Sequence, residues 1–219
     1  MAINWSFISQ KGVEGESTYK TGYVPAEGSG FTVGSLDVGQ HSREDLRTML
    51  QSYSNKLAGS GSNVGVIRQD LLDKISPYVK GSVSEYGTLE TRDLLAKRIS
   101  FKEENIKYLT EAKRHQFTKT LSDIGKYKTK EGKIIRPWNQ LDKKTQTILA
   151  SVGWQYGADS PEFRALYKLR NDKKDMGKQL RIMGSSNYEF RRNKEADHID
   201  PLPLPIQETL NVDKNKEMF

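Results

Sequence analysis

Glu14, Thr32 and Asp37 stand on a glycine-rich stretch that reads VEGESTYKTGYVPAEGSGFTVGSLDVGQ from Val13 to Gln40. Two carboxylates and a hydroxyl, set between Tyr- and Val-containing extended runs, are the groups that acid-catalysed cleavage of a glycosidic bond requires. One carboxyl must be held protonated to donate to the leaving oxygen, and a second group must manage a water or the developing positive charge. Glu14, flanked by Phe7, Val13 and the extended region, is placed for the partial desolvation that raises a carboxyl pKa. Asp37 has the chemistry to orient or activate water. On spacing alone, however, the pair reads first as solvated turn acids, and Glu16 is the nearest rival to Glu14. Thr32 likewise reads as a β-former, and Asp37 as a turn residue beside Gly39.

The elements that would position these groups follow from periodicity and punctuation. Trp5, Phe7, Ile8 and Val13 predict a short amphipathic helix that presents Glu14 at its end, where Gly15 releases the chain. Residues 18–40 alternate Tyr, Val, Phe and Thr with glycines and predict a small antiparallel sheet with tight turns. Ser42 and Asp45 mark an N-cap ahead of a helical stripe of Leu46, Met49, Leu50, Tyr53 and Leu57. After the break AGSGSN (58–63), a second stripe from Val64 to Val79 predicts a helix connecting two lobes. Ser100 and Glu103 form a capping-box pattern before Ile106, Leu109, Phe117, Leu121 and Ile124. KYKTKEGKIIRP (126–137) predicts a charged turn or hairpin, and Leu141, Ile148, Leu149, Val152 and Tyr156 a core helix. Ser160-Pro161-Glu162 starts another helix, and the Pro-rich tail 201–219 cannot continue one.

Three segments carry a resemblance: Gly22 to Gln40, Leu141 to Gly157, and Asn187 to Asp197 (NYEFRRNKEAD). Together they resemble the muramidase domain of pesticin-type bacterial toxins, a relative of phage T4-type lysozymes. The resemblance implies an α+β, lysozyme-like and predominantly helical fold over residues 1–200. A small sheet-containing lobe, about 14–62, would face a larger helical lobe, about 64–200, across a cleft. It implies hydrolysis of the β-1,4 bond between N-acetylmuramic acid and N-acetylglucosamine, with inversion. Glu14 would be the acid, Thr32 would help position water, and Asp37 would work on the water side. Relatives carry one more residue between this Thr and this Asp. Because a one-residue deletion in a strand turns later side chains to the other face, the loop must decide where Asp37 points. By residue type, Tyr23, Gln40, Gln155 and Tyr156 suit a saccharide cleft, although Tyr156 on an apolar helix face reads first as core. Arg191 and Arg192 would close the cleft, pair with acids or stand solvated.

Composition bounds the partners. At 219 residues and net charge +7, the chain favours anionic partners such as the bacterial wall, nucleic acid or membrane surfaces. No zinc-finger spacing, RNP-like pattern or long basic arm supports nucleic-acid binding. With no cysteine and three scattered histidines, neither a metal site nor any cofactor is expected. No apolar run approaches the roughly 20 residues of a membrane helix, and MAINWSFISQKGVEG shows no secretory signal. A chain made in the cytoplasm and acting on peptidoglycan would then rely on a holin or a secretion system. A phage lysin, an interbacterial effector and a bacteriocin all fit, with an immunity protein where the host's own wall is at risk. The competing expectation is a catalytically impaired module that binds glycan without cutting it.

Overall fold

The computed structural model of the chain describes residues 3–9, 21–25, 30–59, 65–80, 88–124, 138–184 and 188–201. In order these form α1 (Trp5–Ile8), β1 (Thr32–Val33), β2 (Leu36–Asp37), α2 (Arg43–Ala58), α3 (Gln69–Ile75) and α4 (Leu89–Lys97). They continue with α5 (Glu103–Ile124), α6 (Lys143–Tyr156), α7 (Pro161–Lys168), α8 (Lys173–Gly184) and α9 (Glu189–Ile199). Helices dominate and β1 and β2 pair antiparallel, so the predominantly helical α+β class expected from sequence is what the chain adopts. Glu14, the 126–137 segment and the tail from Leu202 lie outside the described residues.

Buried apolar side chains gather in two cores. The first runs from Val24 through the hairpin, α2, α3 and α4 to Leu109 and Ala112. It therefore reaches well past the 14–62 segment into the first half of α5. The second gathers Ile8, Leu121, Trp138, the apolar face of α6 and residues of α7, α8 and α9.

The element shared by both cores is α5. Leu109 serves the first and Leu121 the second, each fully buried and contributing about 1.5–3 kcal/mol. At 22 residues it spans about 33 Å, and neither Gly nor Pro interrupts it. The Val64–Val79 stripe does not provide the connector. Among its described residues only Gln69–Ile75 is α-helical, and the helix stops there because Pro77 lacks an amide hydrogen and its ring disfavours a further α-turn. The Ser100 capping box is also not formed. Ser100 bridges Thr21 and lends its carbonyl to Lys74, and α5 begins at Glu103. The other caps form as expected: Ser42 and Asp45 make a reciprocal box, and the Ser160 side chain accepts from the Phe163 N–H.

Helix α6 is the central post. All residues from Thr145 to Gly153 are buried, which an amphipathic reading of its Thr, Gln and Ser residues would not suggest. Each polar group there is paired internally. Gln146 donates to the Trp138 carbonyl at 2.8 Å, Thr147 to the Lys143 carbonyl at 2.8 Å, and Ser151 to Glu195 at 2.5 Å.

Candidate active site

The hairpin brings the sequence-predicted residues together. Val33 pairs with Leu36 and Thr32 with Asp37, leaving Gly34-Ser35 as a two-residue loop. Only Gly34 has positive φ (57°), the pattern of a type II′ turn whose twist matches that of the strands. A Cβ at Gly34 would also sit 2.6 Å from the Thr110 hydroxyl, so glycine lets the hairpin tip rest on α5. The backbone of Thr32 exchanges both its hydrogen bonds with Tyr23, at 2.8 and 3.0 Å. Thr32 and Asp37 are therefore the non-hydrogen-bonded pair, in which facing side chains stand closest. Tyr23, Thr32 and Asp37 thus form one row on one face. Their neighbours Phe31, Val33 and Leu36 point into the first core. Across this tight turn Asp37 stays on the face of Thr32.

This row lines a cavity of about 720 Å³ where the two cores meet. The hairpin side supplies Tyr23, Thr32, Asp37 and Gln40. Helix α5 supplies Lys113, Phe117 and Thr120, and the end of α6 supplies Trp154, Gln155 and Tyr156. Sequence reading missed Lys113, Phe117 and Trp154 as cavity residues. On α5 the spacing of Lys113, Phe117 and Thr120, four and three residues apart, was the available signal for one shared face. Behind the wall, Trp5 of α1 packs edge-on against Trp154 with ring centroids 5.2 Å apart. The ring of Phe117 meets that of Trp154 at 89°.

Burial is the main influence on Asp37 and raises its pKa above the ordinary 3.8. The charge of Lys113 and the backbone N–H groups of Gly39 and Gln40 act against that rise. Its Oδ1 is buried without a hydrogen-bond partner among the described residues. The backbone at Gly39 passes so close to Gly30 that a Cβ on either would fall 2.4 Å from the other's Cα. Glycine at both positions permits that approach beside Asp37.

Lys113 is itself buried enough for its pKa to be lowered, with Asp37 opposing the change. Its ammonium lies 2.9 Å from His41 Nε2. Burial first and Lys113 second depress the pKa of His41 to about 4, while Asp45 acts in the other direction. At neutral pH His41 is uncharged, so Lys113 donates and Nε2 accepts. A group whose folded pKa lies below its unfolded 6.5 favours the fold fully above 6.5, and this is lost as pH falls through about 4. His41→Gln is expected to flatten the loss of thermal midpoint between those pH values. A variant profile parallel to wild type would contradict this.

A family model described as "Pesticin: Bacterial toxin homologue of phage lysozyme, C-term" matches residues 2–164. The chain belongs to this family. No curated protein matches it. The pesticin-family match covers the hairpin, α5 and α6 and so every cavity-lining residue named above. It ends before α8 and α9 and so does not reach the segment 187–197.

That later segment underlies the site rather than lining it. Arg191 is 2 % exposed and holds the Oε1 of the cavity residue Gln155 at 2.6 Å. A guanidinium has only donors, so the amide oxygen of Gln155 must face it and the NH2 is the end left for a ligand. Toward a ligand Gln155 is thus left as a donor. Tyr156, expected chiefly in the core, is half-buried on the cavity wall, with the Arg192 guanidinium 5.5 Å from its ring centre. Among the described residues no group of three or more His, Cys, Asp or Glu could hold a metal, and no helix is long and apolar enough to cross a membrane.

Proposed function

We propose that this pesticin-family chain is a muramidase that hydrolyses the β-1,4 bond between N-acetylmuramic acid and N-acetylglucosamine in peptidoglycan. The observation that carries the reading is the Tyr23–Thr32–Asp37 row: a hydroxyl directly opposite a desolvated carboxyl, on the wall of a cavity between two cores. We assign the general acid to Glu14, which lies outside the described residues, on the sequence resemblance. It gives its proton to the glycosidic oxygen as the C1–O bond breaks and positive charge develops on the sugar. A water between sugar and Asp37 then adds to C1 from the opposite face and passes its proton to the Asp37 carboxylate, with Thr32 orienting it. The raised pKa and the unpartnered Oδ1 make Asp37 a stronger proton acceptor than an exposed aspartate.

Such a water needs carboxyl groups roughly 6.5–9.5 Å apart, and the outcome is inversion. The aromatic and amide lining suits sugar faces and N-acetyl groups. With a formal charge of +7, the protein is also attracted to an anionic wall. We assign it to the periplasm and wall of a target cell after delivery by a holin or secretion system, as a toxin, effector or lysin. An immunity or inhibitor protein would protect a producing cell. Proton NMR of the first products from purified peptidoglycan tests the chemistry, with the α-anomer of the new reducing muramic acid expected initially. An initial β-anomer would refute inversion, and no new reducing end would refute the muramidase assignment.

A further inference from the structure

Among the described residues, Tyr188 is the one non-glycine residue at positive φ. At φ 60° and ψ 37° it is left-handed, a region where Cβ crowds the backbone and where Gly or Asn is the ordinary occupant. Beside it α8 and α9 approach so closely that a Cβ on Gly184 would lie 2.9 Å from the Arg192 Cβ. Nothing in that approach calls for a tyrosine, and the Tyr188 side chain makes no capping hydrogen bond to α9.

The ring's surroundings supply a reason. Tyr188 is 55 % exposed, and its ring stands at 83° to that of Tyr156, centroids 6.3 Å apart. Tyr156 lines the cavity that holds Asp37, so Tyr188 continues that aromatic wall outward into solvent. An exposed, two-torsion aromatic held by a strained backbone is a rigid surface on which the C–H face of a sugar ring can stack. Strain kept at an exposed ring whose one aromatic contact is edge-on to a cavity residue points to a function.

We propose that Tyr188 is an outer saccharide subsite, which holds a sugar unit of the glycan strand beyond those contacting Asp37. This rests on the muramidase reading for the identity of the strand. The site's ligand is a β-linked N-acetylhexosamine unit met through its apolar face, and its effect is on affinity for long strands rather than on bond cleavage.

The test measures the Kd of peptide-free glycan strands by isothermal titration calorimetry, in full-length protein carrying Glu14→Gln so that strands stay uncut. Tyr188→Asn is expected to weaken binding about 3- to 10-fold, the range one aromatic contact supplies. Its thermal midpoint should equal or exceed that of the parent, since asparagine tolerates the left-handed backbone. Tyr188→Phe, which keeps the ring, should bind as the parent does. An unchanged Kd in Tyr188→Asn overturns the subsite, as does an equal loss in Tyr188→Phe. A weaker Kd accompanied by a lower midpoint would make the ring a prop for Tyr156 and overturn it too. Absence of strand binding by the parent would remove the subsite outright. Failure of the muramidase reading shows separately, as absence of new reducing ends from the protein without Glu14→Gln.

Discussion

Asp37→Asn is expected to lower peptidoglycan hydrolysis by about 10²–10⁴-fold, the usual effect of removing a positioned general base. The fold should survive. Asparagine keeps an oxygen for the N–H groups of Gly39 and Gln40 and occupies the same space opposite Thr32. The two readouts should move independently because Asp37 has a raised folded pKa, driven by burial. A group of that kind favours the fold below its unfolded value of 3.8, and this is lost as pH rises through the folded value. At neutral pH the ionised carboxylate therefore weighs against folding, and the asparagine variant should melt at the same temperature as wild type or higher. The difference should shrink towards pH 3. Hydrolysis assays paired with thermal melts at pH 7 and pH 3 check both parts. A variant that is fully active, or inactive only because it is unfolded, would contradict the role given to Asp37.

The second large effect lies beneath the site. Glu195 is fully buried and accepts from Arg191 Nε at 3.1 Å, Arg192 Nη2 at 2.9 Å and Ser151 Oγ at 2.5 Å. Burial pushes its pKa up while the two guanidiniums, Arg192 first, push it down. Deleting the carboxylate in Glu195→Ala would strand two guanidiniums with exposures of only 2 % and 0 %. Breaking a buried pair this way costs about 3–5 kcal/mol, a large share of a typical domain's roughly 5–15 kcal/mol. Denaturant unfolding should report that loss, and the Gln155 anchor should loosen with it. A change below about 1 kcal/mol would mean that the cluster is solvated and does not support α6 from below.

Local signals made the hairpin and most caps legible. A glycine at the first loop position, alternation on either side, and Ser-x-x-Asp before an apolar stripe each act over a few residues. The register of Thr32 against Asp37 was harder, because a shift of one residue would turn Asp37 to the other face. Only the observed pairing places the two side by side. The connector was misplaced for a different reason. The 64–79 and 103–124 stripes have the same helical period, and the second is the long one because no proline interrupts it. Lys113 was invisible as a site residue. Its relation to Asp37 is made by α5 crossing beneath the hairpin, more than seventy positions along the chain. For Arg191, sequence left three roles open, and pairing with an acid is the one observed, with the carboxylate four residues on.

The central claim is that the cavity at Thr32 and Asp37 cleaves peptidoglycan with Glu14 as its acid. Purified Gram-negative peptidoglycan incubated with wild type and with Glu14→Gln, followed by mass spectrometry of the soluble products, tests it most directly. Wild type should release disaccharide-peptides with a reducing muramic acid end, and a folded Glu14→Gln protein none. Equal release by both would displace Glu14 as the acid, and release by neither would make this cavity a binding site for glycan that it does not cut.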